Sequence, residues 1–301
     1  MSVALPNPIR ARAPGRSKAA RQRLDRAFVV FCVVVSALAV LMLCYLLWTI
    51  FLKGLGGLSW RFLTSPPHSN PRLAGVWPAL MGTVWACAGC AAFALPLGIA
   101  TAIFLEEFKP RHRVARALHG FVQLNITNLA GVPSVVYGIL GITVFATLFG
   151  ESVLAGSLTL TLVILPIIIT ASQEALRAVP SSLREAALGM GCTRWQMVRR
   201  VTLPAATPGI MTGSILAMSR AIGEAAPIML VAGGVVFLSS APQSLMSRFT
   251  VMPLQVYNWA QRPQAAFQDL AASAIIVLLV ALLVFNALAV VIRQVFQKPL
   301  S

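Results

Sequence analysis

The 301-residue sequence predicts an all-α polytopic membrane protein with six transmembrane helices, and three observations carry that prediction. The chain is 58% hydrophobic and only 11% charged, with a mean hydropathy of +0.82, a balance that a water-facing surface does not tolerate. Uncharged runs recur that reach or exceed the ~20 apolar residues needed to cross a hydrocarbon core. The strict apolar-polar alternation of a transmembrane β-barrel is missing.

Taken in order, residues 1–26 form a basic tail rich in Arg, Pro and Ala, expected to be disordered up to the membrane. The apolar run that follows, in residues 27–52, is 25 residues long from position 28, too long for the core of a cleaved signal peptide. It reads as an uncleaved first span. The spans are expected near 28–52, 77–105, 121–149, 153–173, 207–238 and 271–293. The last five make up a core of residues 75–293, with a long loop at 174–206 and a short tail at 294–301.

Orientation follows from the basic residues. Eighteen of the 24 Lys and Arg lie in the N-terminal tail, the loop after the second span, the 174–206 loop and the C-terminus. Only Lys53, Arg61, Arg72, Arg248 and Arg262 lie on the other side, and Arg220 lies inside the membrane. Both termini and the 174–206 loop are therefore expected in the cytoplasm. A net charge of +16 suggests nucleic acid at first sight. Here it is divided among loops and tails as topology demands, so membrane lipid headgroups are the expected contact and nucleic acid is excluded.

No cofactor, metal or catalytic constellation is expected. Cys87 and Cys90 form a C-x2-C, but both fall mid-span among Ala, Gly and Phe and read as packing thiols. His68, His112 and His119 are scattered. A G-x4-G-K-[ST] phosphate loop is missing, so the chain is not expected to be an enzyme, and any ATP hydrolysis falls to a partner.

Chemistry concentrates inside the bilayer. Arg220 and Glu224 stand four apart in the fifth span, where an ionised side chain costs about 2.5–3.5 kcal/mol. A local i, i+4 pair returns only ~0.2–0.5 kcal/mol, so pairing by itself does not offset that cost. One reading is an ion pair that locks helix packing against a partner subunit. The other is a water-accessible path in which Arg220 offers a planar fork of donors to an oxyanion and Glu224 keeps it from being trapped. Gly223 and Pro227 loosen the helix there. In the third span Pro133 forces a kink, with the hydroxyls of Ser134 and Tyr137 beside it; packing and path-lining readings both stand.

A further pattern names a family. Glu185-Ala186-Ala187, three residues, Gly191, nine residues, Val201, one residue and Leu203-Pro204 resemble the EAA-x3-G-x9-I-x-L-P loop of bacterial ABC importer permeases, with Val for Ile. Three runs narrow the resemblance: G-V-P-S-V-V-Y-G at 131–138, R-A-I-G-E-A-A-P at 220–227 and M-P-L-Q-V-Y-N-W at 252–259. They are similar to the PstA-type permeases of bacterial phosphate importers, over about residues 75–293. Ala225 replaces a Thr found in many relatives, which removes a hydroxyl beside Glu224.

The resemblance implies a type I ABC importer (MetI-like) permease fold and a set of partners: a PstC-like permease, two copies of an ABC ATPase subunit and an extracytoplasmic phosphate-binding protein. Phosphate is the cargo. It assigns Glu185, Ala186, Ala187, Gly191, Val201, Leu203 and Pro204 to ATPase coupling, and Arg220 and Glu224 to the path, where the hydroxyls of Ser134 and Tyr137 are further candidates from the kink chemistry. A Glu near a helix start suits the dipole, Gly191 permits the turn, and Trp195, Met197 and Val198 offer an apolar docking patch. Competing readings are a permease for sulfate or molybdate, the PstC-type sister subunit, a channel or secondary transporter working without ATP, and a non-transporting scaffold.

Overall fold

The computed structural model describes residues 18–110, 112–234 and 238–296 and divides into two compact units, 1–50 and 51–301. The first unit consists, within its described part, of most of α1 (Lys18–Gly54), a helix that carries no charge from Ala27 to Leu52. This corrects the expected disordered tail in part: 18–26 is helical, because Lys, Ala, Arg, Gln and Leu are good helix formers and no Gly or Pro interrupts them. Residues 1–17 and 297–301 of the two expected tails lie outside the described residues.

In the second unit, a short α2 (Trp60–Thr64) precedes α3 (Trp77–Glu107), which has Pro78 in its first turn, where a missing N–H costs nothing. Next come α4 (Arg113–Leu129), α5 (Ser134–Leu140), a π-type turn at Gly141–Ala146 and α6 (Thr147–Phe149). The helix α7 (Val153–Arg177) is capped by the Ser152 hydroxyl, which accepts from the Ala155 N–H. Beyond it lie α8 (Ser181–Gly189), α9 (Arg194–Met197), a π-type turn at Val198–Thr202, α10 (Leu203–Gly223) and α11 (Ala226–Val231). The chain ends in α12 (Met252–Ala260) and α13 (Ala265–Phe296). No strand occurs among the described residues; Ser152 and Arg248 make an isolated bridge.

Among the described residues, five stretches are long and apolar enough to cross a membrane, and a sixth is reached if α4 and the α5–α6 segment count as one bent span. The helix α7 is the axis of the bundle: 67% of its apolar window is buried, against 28% for α3 and 6% for α13. Its most extensive contacts are with α3 and then α10. Val153, Leu160, Ile164 and Ile168 fill the core they share with Ala86, Cys90 and Ala94. Small residues let the backbones approach, and the Ser157 hydroxyl donates to the Ala86 carbonyl at 3.1 Å across the α3–α7 seam.

Two expected spans differ in form. The third, 121–149, is not one helix: it turns through 109° between Leu129 and Ser134, because Pro133 has no N–H to give Leu129 and its ring excludes helix before it. The fifth, 207–238, begins earlier, at Leu203, and its helix stops at Gly223. Glu224 takes an extended ψ of 112°, and α11 restarts with Pro227 at its second position. Pro227 has no N–H for the Gly223 carbonyl, so the ladder fails there.

Candidate functional site

The 174–206 loop is a helix-turn-helix whose spacing has a backbone cause. Gly191, at φ +86°, follows α8; its N–H donates to the Leu188 carbonyl at 3.0 Å, and the Cys192 N–H to the Ala187 carbonyl at 3.2 Å. These two bonds form a complete Schellman closure, which needs a residue tolerant of positive φ four positions after Ala187. Thr193 and Gln196 then form a capping box that starts α9. The π-type turn that follows is closed by the Leu203 N–H on the Val198 carbonyl, beside Pro204, which has no N–H for the Arg200 carbonyl.

Ala187, Met197 and Val198 are buried together, with Ile103, Phe108, Cys192 and Val201 packed against them. The expectation that Met197 and Val198 present a docking patch is therefore corrected: they hold the two loop helices together. Trp195 is 58% exposed, its ring 6.5 Å from that of Phe108. Glu185, Ala186 and Pro204 are exposed and Leu203 is half-buried. The exposed apolar surface is instead made by Leu183, Leu188, Met190 and Trp195.

Arg184, which sequence reasoning missed, ties this loop to the bundle. Its Nη2 and Nε donate to Oε1 of Glu107 at 3.0 and 3.2 Å. Its Nη2 and Nη1 also donate to the carbonyls of Leu176 and Val179 at 2.6 and 2.8 Å. Beside it Glu106 accepts from Lys109 at 3.0 Å and Arg177 at 2.9 Å. One signal was present: two adjacent carboxylates at the end of a span, on the side rich in basic residues, demand basic partners.

At the other candidate site Arg220 Nε donates to Glu224 Oε1 at 3.2 Å. The two side chains sit differently, Arg220 57% exposed and Glu224 15%. Leu216 and Gly223 are exposed on the same face of α10 as Arg220. The helix α11 packs against α5, so closely that a Cβ on Gly138 would come within 2.8 Å of the Pro227 Cα.

That contact brings the element carrying Ser134 and Tyr137 alongside the break. Ser134 is half-buried at the first turn of α5. Tyr137 is buried in the same core cluster as Ala221 and Ile228, and its hydroxyl donates to the Leu129 carbonyl at 2.8 Å. The carbonyl stripped of its helical donor by Pro133 is thus satisfied by Tyr137, together with the Val132 N–H at 3.1 Å.

A helix-turn-helix is thus clamped to the end of a bundle of membrane-crossing helices, with an ion pair where one of them breaks. The profile of the binding-protein-dependent transport system inner membrane components matches residues 94–300, and the chain belongs to that family. Phosphate transport system permease protein PstA 1 of Mycobacterium tuberculosis (strain H37Rv) is 31% identical over 86% of this chain and 84% of its own. Probable ABC transporter permease protein YqgH of Bacillus subtilis (strain 168) is 40% identical over 60% of this chain, an alignment that spans only 61% of YqgH. Among solved structures, a bacterial ABC transporter that imports the acidic polysaccharide alginate has a chain of similar fold, with TM-score 0.62, 17% identity and coverage of 93% and 100%. The MetNI methionine ABC transporter has another, with TM-score 0.55, 20% identity and coverage of 74% and 95%.

Proposed function

We propose that the chain is the transmembrane subunit of an ATP-driven phosphate importer, forming half of the translocation path beside a PstC-like permease. The observation that carries this reading is the placement of Arg220, more than half exposed on an otherwise apolar face at the helix break. Facing lipid, a guanidinium at that depth costs about 2.5–3.5 kcal/mol. Facing a water-filled seam between two permeases, it meets an oxyanion with a fork of donors. Glu224 holds the guanidinium in place between passages and takes it back afterwards, so the anion is released. Ser134 borders the break from α5, and Tyr137 supports it from behind by holding the elbow at Leu129.

The EAA loop lies on the cytoplasmic side in this reading, as the distribution of basic residues requires, and both termini share that side. Glu185 and Ala186 stand free on α8 to meet the ATPase, one copy for each permease. Ala187, Gly191, Val201, Leu203 and Pro204 keep the loop rigid. ATP is bound and hydrolysed by that partner, and closure of the two ATPases moves the loops. The Arg184 clamp carries the motion into α3 and α7. Cargo arrives from an extracytoplasmic phosphate-binding protein; a related alginate transporter has been solved in complex with a periplasmic protein loaded with its own cargo.

The test is phosphate uptake and ATPase activity in proteoliposomes holding the full assembly, wild type beside Arg220→Gln, with sulfate and molybdate as competitors. Lost uptake with retained binding-protein-stimulated ATPase places Arg220 on the path. Normal uptake returns it to a packing charge, and competition by sulfate or molybdate moves the cargo to another oxyanion.

A further inference from the structure

Between α3, α10 and α13 runs a cavity of about 540 Å³ that the transport cycle above does not use. Its walls are hydrocarbon almost throughout: Leu95 and Ile99 from α3, Met211 and Met218 from α10, Phe285 and Ala289 from α13. It forms a long slot. From Leu80 to Ile99 along α3 it extends about 28 Å, and from Leu278 to Ile292 along α13 about 21 Å, at the helical rise per residue. Walls of this kind suit a hydrocarbon chain, and at membrane depth water does not compete for an apolar void. Val84, half-exposed, stands at the lip of the slot and leaves it open to the side.

One end of the slot is charged. Arg293 lies one turn beyond Ala289 on the lining stripe of α13. Its Nη1 donates to the Thr212 hydroxyl at 2.9 Å, next to the lining residue Met211, while its Nε is buried and meets no hydrogen-bond partner among the described residues. This end is the one from which α10 rises out of the EAA loop, on the side that the distribution of basic residues assigns to the cytoplasmic headgroups.

We infer that the slot is a specific phospholipid site: one acyl chain lies between α3, α10 and α13, and the headgroup phosphate of an anionic lipid sits on Arg293. A lipid held there would act as a filler that α10 must slide past when its break flexes, which makes transport sensitive to the surrounding lipid.

The full-length protein, extracted with its native assembly and washed in detergent, is incubated with phosphatidylglycerol or phosphatidylcholine vesicles, and retained lipid is counted by native mass spectrometry. Wild type is expected to keep one phosphatidylglycerol in preference to phosphatidylcholine. Arg293→Gln is expected to lose that preference by roughly fivefold, the worth of one basic residue at an anionic surface. Ala289→Phe and Ala91→Phe, which fill the slot from opposite walls, are expected to lose retention of both lipids; having two such variants guards against one failing to assemble. Equal retention by wild type and the slot-filling variants overturns the site. Displacement of the lipid by millimolar inorganic phosphate overturns the headgroup assignment, since Arg293 would then bind the free anion.

Discussion

Arg184 and Glu107, 77 residues apart in sequence, are joined through two guanidinium nitrogens, with Glu107 almost buried and Arg184 mostly so. Arg184 also donates to the carbonyls of Leu176, in the last turn of α7, and of Val179, just beyond its end. One side chain thus fastens the exposed loop to two membrane helices at once. Replacing it with Ala leaves a near-buried carboxylate unpaired, at a cost of ~2 kcal/mol or more. Arg184→Ala is expected to lower the thermal midpoint and to cut uptake more than ATPase activity, because the lever is loosened while the docking surface survives. Parallel loss of both activities would mean that Arg184 serves assembly alone.

Gly191 has open space around its missing Cβ, so any penalty at this position is confined to the backbone. Gly191→Ala is expected to cost about 1–2 kcal/mol, the strain of a left-handed L-residue. Gly191→Asn should recover most of that, since Asn tolerates the conformation. Uptake assays and melting curves of the two variants check the ordering; equal damage from both would point to the ATPase contact rather than the turn.

Tyr137→Phe removes one of two hydrogen bonds to the Leu129 carbonyl and leaves the ring packed. A stability loss of about 1 kcal/mol with uptake kept near wild type is expected. A collapse of uptake at unchanged stability would put the hydroxyl on the path after all.

Gln123 and Gln173 exchange two amide hydrogen bonds, at 3.1 and 2.8 Å, between α4 and α7. Gln173→Leu strands the partner amide and is expected to cost ~1–3 kcal/mol, whereas Gln123→Leu with Gln173→Leu should restore most of the loss. Thermal unfolding of the two single variants and the double variant measures the coupling, and strict additivity would show that the pair contributes nothing as a pair.

On the proposed path, Glu224→Gln takes away the group that pairs with Arg220 and would compete with cargo for it. Initial uptake rates should show a lowered KM together with a maximal rate roughly tenfold down, the signature of an anion held too well. A raised KM would argue that Glu224 orders Arg220 rather than competing for it.

The sequence by itself determined the membrane-crossing segments, since a run of ~20 apolar residues has no other stable home. It also located the helix-turn-helix, because the Ala187-to-Gly191 interval is a Schellman closure written in residue types. The pair Arg220 and Glu224 stood out on desolvation cost alone. Only the tertiary structure decided which faces are covered. In a membrane every face of a span is apolar, so hydrophobic periodicity is silent about burial. Hence Met197 and Val198 turned inward where a docking patch was expected, and Arg220 faced outward. Proline chemistry in the sequence announced a disturbance at Pro133, but a kink and a 109° elbow share the same local cause, and the packing of α5 on α11 selects between them. Arg184 with Glu107 and Gln123 with Gln173 depend on helices brought side by side across dozens of residues, a fact no local pattern holds.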